Sequence, residues 1–402
     1  MALTVQKNLG LNNQATTTRT SNICEPTAAA SGRRLMVTGN WFATTSANAG
    51  STWTPIDPFT QFPASAGGFC CDQVVVYNPR HKIWVWLLQY SSTANGNNLF
   101  RLAVCREATF GQWYWWDFAP TNLNAAWKTM WFDYPDMAFT NENLFVTFNA
   151  FIGNSWQRAV VFRFPLAALA AGTALGYRWW TRTKNGSIRL CRGAGPVMYM
   201  GSHNSTSQLR VFQWPDSGTG LTQTDVNVRS WSGGSYSAPG PDGRNWLGRT
   251  DSRITGAAVG ANLLTFMWSV NRDTNHPFPF IRVARINEAT KAVTDQPDIW
   301  SSKSAWAYPA AAGNAQGQLG ITAFYGGGPN HPGHVVGIKP AAGWSTQLTK
   351  VSTNGPAGGG WGDYLSCLAH HDESASWVAS GYTLQGGTDR KDVEPRDVHF
   401  KG

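Results

Sequence analysis

Seven stretches of the chain resemble one another, and this internal repeat constrains the fold more than any other feature. They begin near Cys24, Cys71, Pro135, Ile188, Arg253, Trp306 and Trp361. Each opens on a small-residue or apolar strand that often starts at an acidic residue. A second apolar strand follows, then usually a third, and in several an aromatic fourth. A unit recurring every ~45–55 residues cannot bury its own apolar faces and must stack on its neighbours, as in propellers and solenoids. The reading is an all-β, single-domain, seven-bladed β-propeller of four-stranded antiparallel blades, with six blades as the alternative count. Residues 1–20, polar and rich in Thr and Asn, read as an N-terminal arm that closes the ring by adding a strand to the last blade. Residues 21–402 form the propeller.

Composition agrees with many short strands and tight turns. Charged residues are only 14% of the 402, while Gly (42) and Trp (21) are abundant; a typical soluble domain carries about 25% charge. No run of about 18 apolar residues exists, so no helical membrane span is expected. The most apolar stretch, 164–175, is interrupted by Pro165 and reads as one or two helical turns. The formal charge is +9, yet the basic residues are scattered (Arg33-Arg34, Arg178, Arg182, Arg390-Lys391). Scattered charge argues against nucleic acid and for an anionic substrate or surface.

Six cysteines form no CxxC pair or zinc spacing. Cys70-Cys71 is a vicinal pair, read as two half-buried thiols at a strand edge in preference to a vicinal disulfide that would make a rigid ligand platform. Met1 to Val5 lack the basic start and apolar core of a leader. The composition nevertheless points to a secreted or periplasmic protein whose leader is not part of this sequence.

Blade two shows the pattern best, with strands at 72–78, 83–90, 99–105 and 113–118 and a turn at Asn78-Pro79-Arg80-His81. Blade three follows at 136–140, 144–151, 158–164 and 177–182. The Gly/Ser stretch 232–237 and the turn at 239–243 form a long loop between blades four and five, with an interdomain linker as the alternative.

In blade one, Ser46-Ala47-Asn48-Ala49-Gly50-Ser51-Thr52-Trp53 resembles the Asp-box, Ser-x-Asp-x-Gly-x-Thr-Trp, of sialidase-like propellers, with Asn48 at the Asp position. The motif closes a hairpin. Its acidic or amide side chain bonds the turn backbone, and its Gly takes positive φ. Glu25-Pro26-Thr27-Ala28-Ala29 is similar to the Glu-Pro-Ser-x-Ala opening of secreted members of the same broad group, and Trp361-Gly362-Asp363-Tyr364 to a Gly-Asp-Tyr blade opening. The resemblance implies a propeller with glycan-directed chemistry. Sialidases also carry an arginine triad and an Arg-Ile-Pro opening; Arg33-Arg34-Leu35 is not that opening, and no triad is assignable.

Propeller topology sorts the polar residues. Inner-strand starts and the loops between second and third strands share one face. Glu25, Asp72, Asp136 and Asp363 fall at inner-strand starts and should ring one mouth of the axial channel. Crowded carboxylates raise one another's pKa unless they are paired or bind a cation, and Asp72, Asp136 and Asp363 are candidate oxygen ligands for Ca²⁺ in the channel. The blander reading has each carboxylate capping backbone N–H groups of the next blade. Loops on the same face add His203, Arg272, Asp273, His276, His331, His334, Asp389 and Arg390. His81, His370 and His371 fall on the opposite hairpins and read as solvated. Tyr90, Trp156, Tyr325 and Tyr364 supply aromatic faces of the kind that stack on sugars.

The leading expectation is an enzyme acting on a carbohydrate. A glycoside hydrolase would use two mouth carboxylates, Asp72 and Asp136. A polysaccharide lyase would use His203 and Tyr364 as base and acid, with Arg192 on a uronate carboxylate. Glu25, Asp363, His276, His331, His334, Arg272 and Arg390 would bind the ligand. A non-catalytic glycan- or protein-binding module and an enzyme of small molecules stand as alternatives, since fold does not fix function. Oligomeric state is not legible.

Overall fold

The computed structural model describes residues 2–106 and 110–402. They form seven four-stranded antiparallel sheets arranged as the blades of a propeller. Met1, at the start of the stretch read for a leader, lies outside the described residues. The inner strands are Thr27–Ser31, Phe69–Asn78, Met130–Phe139, Arg189–Leu190, Ile254–Gly260, Ala305–Gly313 and Cys367–Ala369. In six blades the four strands follow in chain order. The seventh takes three strands from the C-terminal end and its outermost from Thr4–Gly10, which pairs antiparallel with Val393–Lys401. Both ends of the chain are therefore bonded into one sheet. The longest helix is Leu166–Ala171, within the 164–175 stretch.

Side-chain size follows distance from the axis. Inner strands converge and carry small residues where they approach most closely, such as Ala28 to Ala30, Ala257-Ala258 and Ala310 to Ala312, all buried. Further out the gaps widen and aromatics fill them. Phe100, Phe132, Phe148 and Phe162 pack between blades two and three, and Trp84 and Trp86 between blades one and two. Burying such rings removes large apolar areas from water, at about 25 cal/mol per Å².

Several inner strands begin earlier than the sequence reading placed them, because a bulge interrupts each ladder. Register shifts lie between Phe69 and Gln73, Asp133 and Asp136, and Ala307 and Ala310. A bulge re-aims side chains without ending the strand. The 228–253 loop is no linker. It lies over blades six and seven and sinks Tyr236, Trp246 and Leu247 into the apolar cluster that holds Tyr308 and Trp361.

His334 shows how tightly adjacent blades fit. It is fully buried, with Nε2 2.6 Å from Thr322 Oγ1 and Nδ1 2.7 Å from Thr349 Oγ1. A Cβ on Gly381 of the next blade would lie 2.0 Å from its ring. Gly381→Ala should therefore lower stability by about 1–3 kcal/mol through overpacking. Urea denaturation measures this, and an unchanged midpoint would contradict the packing argument.

Candidate functional site

One mouth of the channel gathers carboxylates, arginines and tyrosines. Glu25 has φ 49° and Tyr134 φ 59°. Each precedes a proline, Glu25 just before the inner strand Thr27–Ser31 and Tyr134 at the bulge within Met130–Phe139. Asn40 Nδ2 holds Glu25 by donating to Oε2 at 2.8 Å while also donating to the Ile23 carbonyl. Asp72 follows the bulged Cys70-Cys71 pair. Asp133 accepts from Gln89 Nε2 at 3.0 Å. Asp363 follows Gly362, which has φ 99° and lies so close to the Tyr308 ring that a Cβ there would approach to 2.3 Å.

Two arginines face these acids. Arg249, delivered by the long loop, donates from Nη2 to Asp363 Oδ2 at 3.2 Å. Arg253 lies 3.6 Å from Asp363 Oδ1, 2.5 Å from Asp251 Oδ2, and 4.0 Å above the Tyr134 ring. Tyr134 and Tyr364 meet edge to face at 5.9 Å, and neither hydroxyl has a hydrogen-bond partner among the described residues.

Burial raises three of these acids, Glu25, Asp72 and Asp133. Burial, and then the charges of Asp72 and Asp363, push Glu25 well above the usual carboxylate range. Asp72 is pushed up to about 7, first by burial and then by the nearby Asp133. A protonated Glu25 donating to Asp72 partly offsets this rise. Burial also raises Asp133, against the bond from Gln89. These groups lie side by side, so a proton and a negative charge share one enclosure at neutral pH.

A side pocket of about 310 Å³ adjoins Arg253 and is lined by Trp156, Ser187, Ser202, His203 and Ser252. Asn149 Oδ1 fixes one wall by accepting from Trp156 Nε1 and the Ser187 N–H. Burial lowers His203 to about 4, so its ring is neutral. Its Nε2 donates to the Ser252 carbonyl at 2.7 Å, and it packs against Trp231 and Trp268.

Of the residues singled out in the sequence, the structure brings Glu25, Asp72, Asp363 and Tyr364 together. Asp136 is not with them. Its carboxylate accepts from Arg192 Nη2 at 2.8 Å and from the Leu190 N–H at 3.0 Å, and lies 3.3 Å from Arg189 Nε. The bulge carries it past the mouth, where it caps the next blade. Among the described residues no three His, Cys, Asp or Glu side chains are placed to hold a metal ion, so Asp72, Asp136 and Asp363 do not form a Ca²⁺ site.

The lyase set does not converge either. His203 is in the side pocket, Tyr364 in the channel, and Arg192 lines a cavity at the opposite opening. The other histidines are dispersed. His276 bonds Asp273 at 2.7 Å and stacks on Phe280, His331 lies 3.8 Å from Asp242, and His334 is sealed between blades. Arg272 is exposed beside Pro277 and Phe278, and Arg390 lies over Trp41.

Tyr90 is buried under Arg101 and Tyr325 packs on Trp306. His370, read as solvated, is buried beside His399. Cys70 and Cys71 are joined as a vicinal disulfide, contrary to the thiol reading. Asp133, Tyr134, Arg189 and Arg249 were missed. The signal for Tyr134 was present, because Glu25-Pro26, Tyr134-Pro135 and Tyr308-Pro309 repeat the same step.

No protein-family model matches the sequence, and no curated protein matches it. Solved structures of similar shape include an α-L-arabinofuranosidase of Fusarium graminearum in complex with arabinobiose, at 10% identity and TM-score 0.49 over 98% of this chain and 97% of that one. An α-L-arabinanase of Penicillium chrysogenum, also with arabinobiose, gives 10% and 0.47 over 98% of both chains. The SapL1 lectin with α-methyl fucoside gives 11% and 0.42 over 84% of this chain and 99% of that one. These values are too low to carry a residue role across.

The raised pKa of Asp72 has a stability consequence of definite sign. Between about pH 4 and 7 the native state keeps a proton that the unfolded chain releases, so this group's contribution falls as pH rises through 7. His203 and His334, lowered to about 4 and about 3, act oppositely below their usual value. Comparison of wild type with Asp72→Asn isolates the carboxyl. The variant should gain on the order of 2–4 kcal/mol on the wild type between pH 4 and pH 8. Denaturant titrations at the two pH values measure it, and a pH-independent difference would refute the assignment.

Proposed function

We propose that the protein hydrolyses glycosidic bonds at the acidic mouth of its channel. One observation carries this reading: Asp72 keeps a proton to about pH 7 while Asp363, in the same enclosure, is paired with Arg249 and Arg253. Two carboxyl groups with opposed environments are what glycoside hydrolysis needs, one to protonate the leaving oxygen and one to act at the anomeric carbon. Asp72 is the proposed acid and Asp363 the proposed base or nucleophile. Asn40 and Gln89 fix Glu25 and Asp133, which accept hydroxyls beside the scissile bond. The Arg253 guanidinium donates to the sugar, and the pocket of Trp156 and His203 receives the neighbouring unit. An apolar ring face beside hydroxyl and amide groups suits a sugar, which offers both C–H and O–H surfaces. We also propose an oxidising compartment, a reading that the Cys70–Cys71 disulfide supports.

The test is a panel of oligosaccharides and polysaccharides with products read by mass spectrometry. On any substrate that is cleaved, Asp72→Asn and Asp363→Asn should each lower kcat/KM at least a thousandfold without loss of fold. Turnover should fall about tenfold per pH unit above about 7, where Asp72 loses its proton. Wild-type rates in both variants would sink the assignment. Saturable binding without product would make this face a recognition site instead.

A further inference from the structure

Every acid of the mouth except Asp72 is held by an amide or a guanidinium. Asn40 holds Glu25, Gln89 holds Asp133, and Arg249 and Arg253 face Asp363. No amide or guanidinium among the described residues bonds the Asp72 carboxyl, whose partners are Glu25 and its own backbone N–H. The backbone that carries it is also outside the ladder. Pairing with the second strand of blade two, Ile83–Tyr90, joins Phe69 to Tyr90 and Gln73 to Leu88, and leaves Cys70, Cys71 and Asp72 without a register partner.

The constraint on this stretch is covalent. The Cys70–Cys71 bond closes two neighbouring residues and the peptide between them into one small ring, attached directly to Asp72. Fixing three unpaired residues in one backbone conformation opposes their conformational entropy, and two of the three belong to the ring. Cys70 and Cys71 are half-buried, whereas Cys24, Cys105, Cys191 and Cys367 are buried free thiols. A thiol reductant therefore meets a single bridge among the described residues, and that bridge is within reach of solvent.

We propose that the Cys70–Cys71 bridge is a redox-sensitive positioning element for Asp72: closed, it holds the carboxyl against Glu25 inside the enclosure, and opened, it releases the carboxyl to solvent. Its effect on turnover rests on the hydrolysis reading; its effect on Asp72 does not. Opening takes a dithiol. One thiolate attacks a bridge sulfur and the S–S bond breaks to a mixed disulfide, from which the second thiol displaces the remaining cysteine. Two electrons and two protons pass to Cys70 and Cys71, and the reductant leaves as its cyclic disulfide. The titratable groups that face Asp72 are Glu25 before blade one, Asp133 in blade three, and Asp363 and Tyr364 before blade seven. The reductant alters none of them chemically, so a change in the titration of Asp72 reports its position.

Equilibrium unfolding of the full chain, wild type against Asp72→Asn at about pH 4 and about pH 8, reads Asp72 without any substrate. With the bridge closed, the ratio of the two folding constants falls between these pH values. In protein first reduced with dithiothreitol, that fall should shrink about tenfold or more, and equally in a Cys70→Ser/Cys71→Ser background. On any glycan that is cleaved, opening the bridge should lower kcat about tenfold near pH 7 and move the alkaline limb of the rate profile to lower pH, with KM little changed. If one opened form fails to fold, the other decides. An undiminished fall in the opened forms would overturn the proposal, and so would loss of fold in both, which would make the bridge a brace for the blade. If no glycan is cleaved, the hydrolysis reading fails while the unfolding ratio still decides this one.

Discussion

The inner strands of blades five and six approach until no side chain fits between them. A Cβ on Gly313 would lie 1.9 Å from the Val259 carbonyl oxygen. That closeness governs much of the rest. Seven strands directed at one axis must shed volume there, so alanine and glycine occupy the convergence and tryptophan and phenylalanine the divergence. With little volume to spend, side chains that reach the axis do so from strand ends or bulges, where the ladder leaves room. The polar residues of the channel therefore belong to a few positions, and those positions recur from blade to blade.

Charge along this axis is unevenly divided. Glu25, Asp72, Asp133 and Asp363 are grouped at one mouth, with Arg249 and Arg253 facing mainly Asp363. Below them, Arg189 and Arg192 outnumber Asp136. Protonation relieves the acidic end, since burial raises a carboxyl's pKa until the charge is lost. Arginine has no such recourse, because it stays protonated under ordinary conditions. The two ends of the channel thus carry different chemistry, proton exchange at one and fixed positive charge at the other.

Repeat length and strand pattern made the seven blades legible in the sequence, because apolar alternation survives changes of individual residues. The same register placed Glu25, Asp72 and Asp363 at the mouth. It failed at Asp136 because a two-residue bulge moved that carboxylate into the reach of Arg189 and Arg192, and alternation alone does not register a bulge. His334 was lost for a related reason. The stretch read as a loop is strand: His334 lies in the middle of Asn330–Ile338, where its side chain turns into the interface between blades against the missing side chain of Gly381. Arg249 came from a loop whose Gly/Ser composition gave no sign that Trp246 would anchor it.

Glu25, Tyr134 and Tyr308 occupy one structural step in blades one, three and six, each at positive φ and each followed by proline. For a non-glycine residue that backbone costs on the order of 1–3 kcal/mol and persists only where the surroundings enforce it. Three uses of it argue that the turn belongs to the blade and not to any one side chain. Its occupant is then free to vary: a carboxyl held by Asn40, a tyrosine under Arg253, and a tyrosine that accepts from Thr250 and donates to the Trp361 carbonyl. In blade two the bulge places the Cys70–Cys71 bridge and Asp72 there instead. A repeated backbone device with differing side chains lets a sevenfold fold present an asymmetric site, and it is why the chemistry sits where the repeat is least regular.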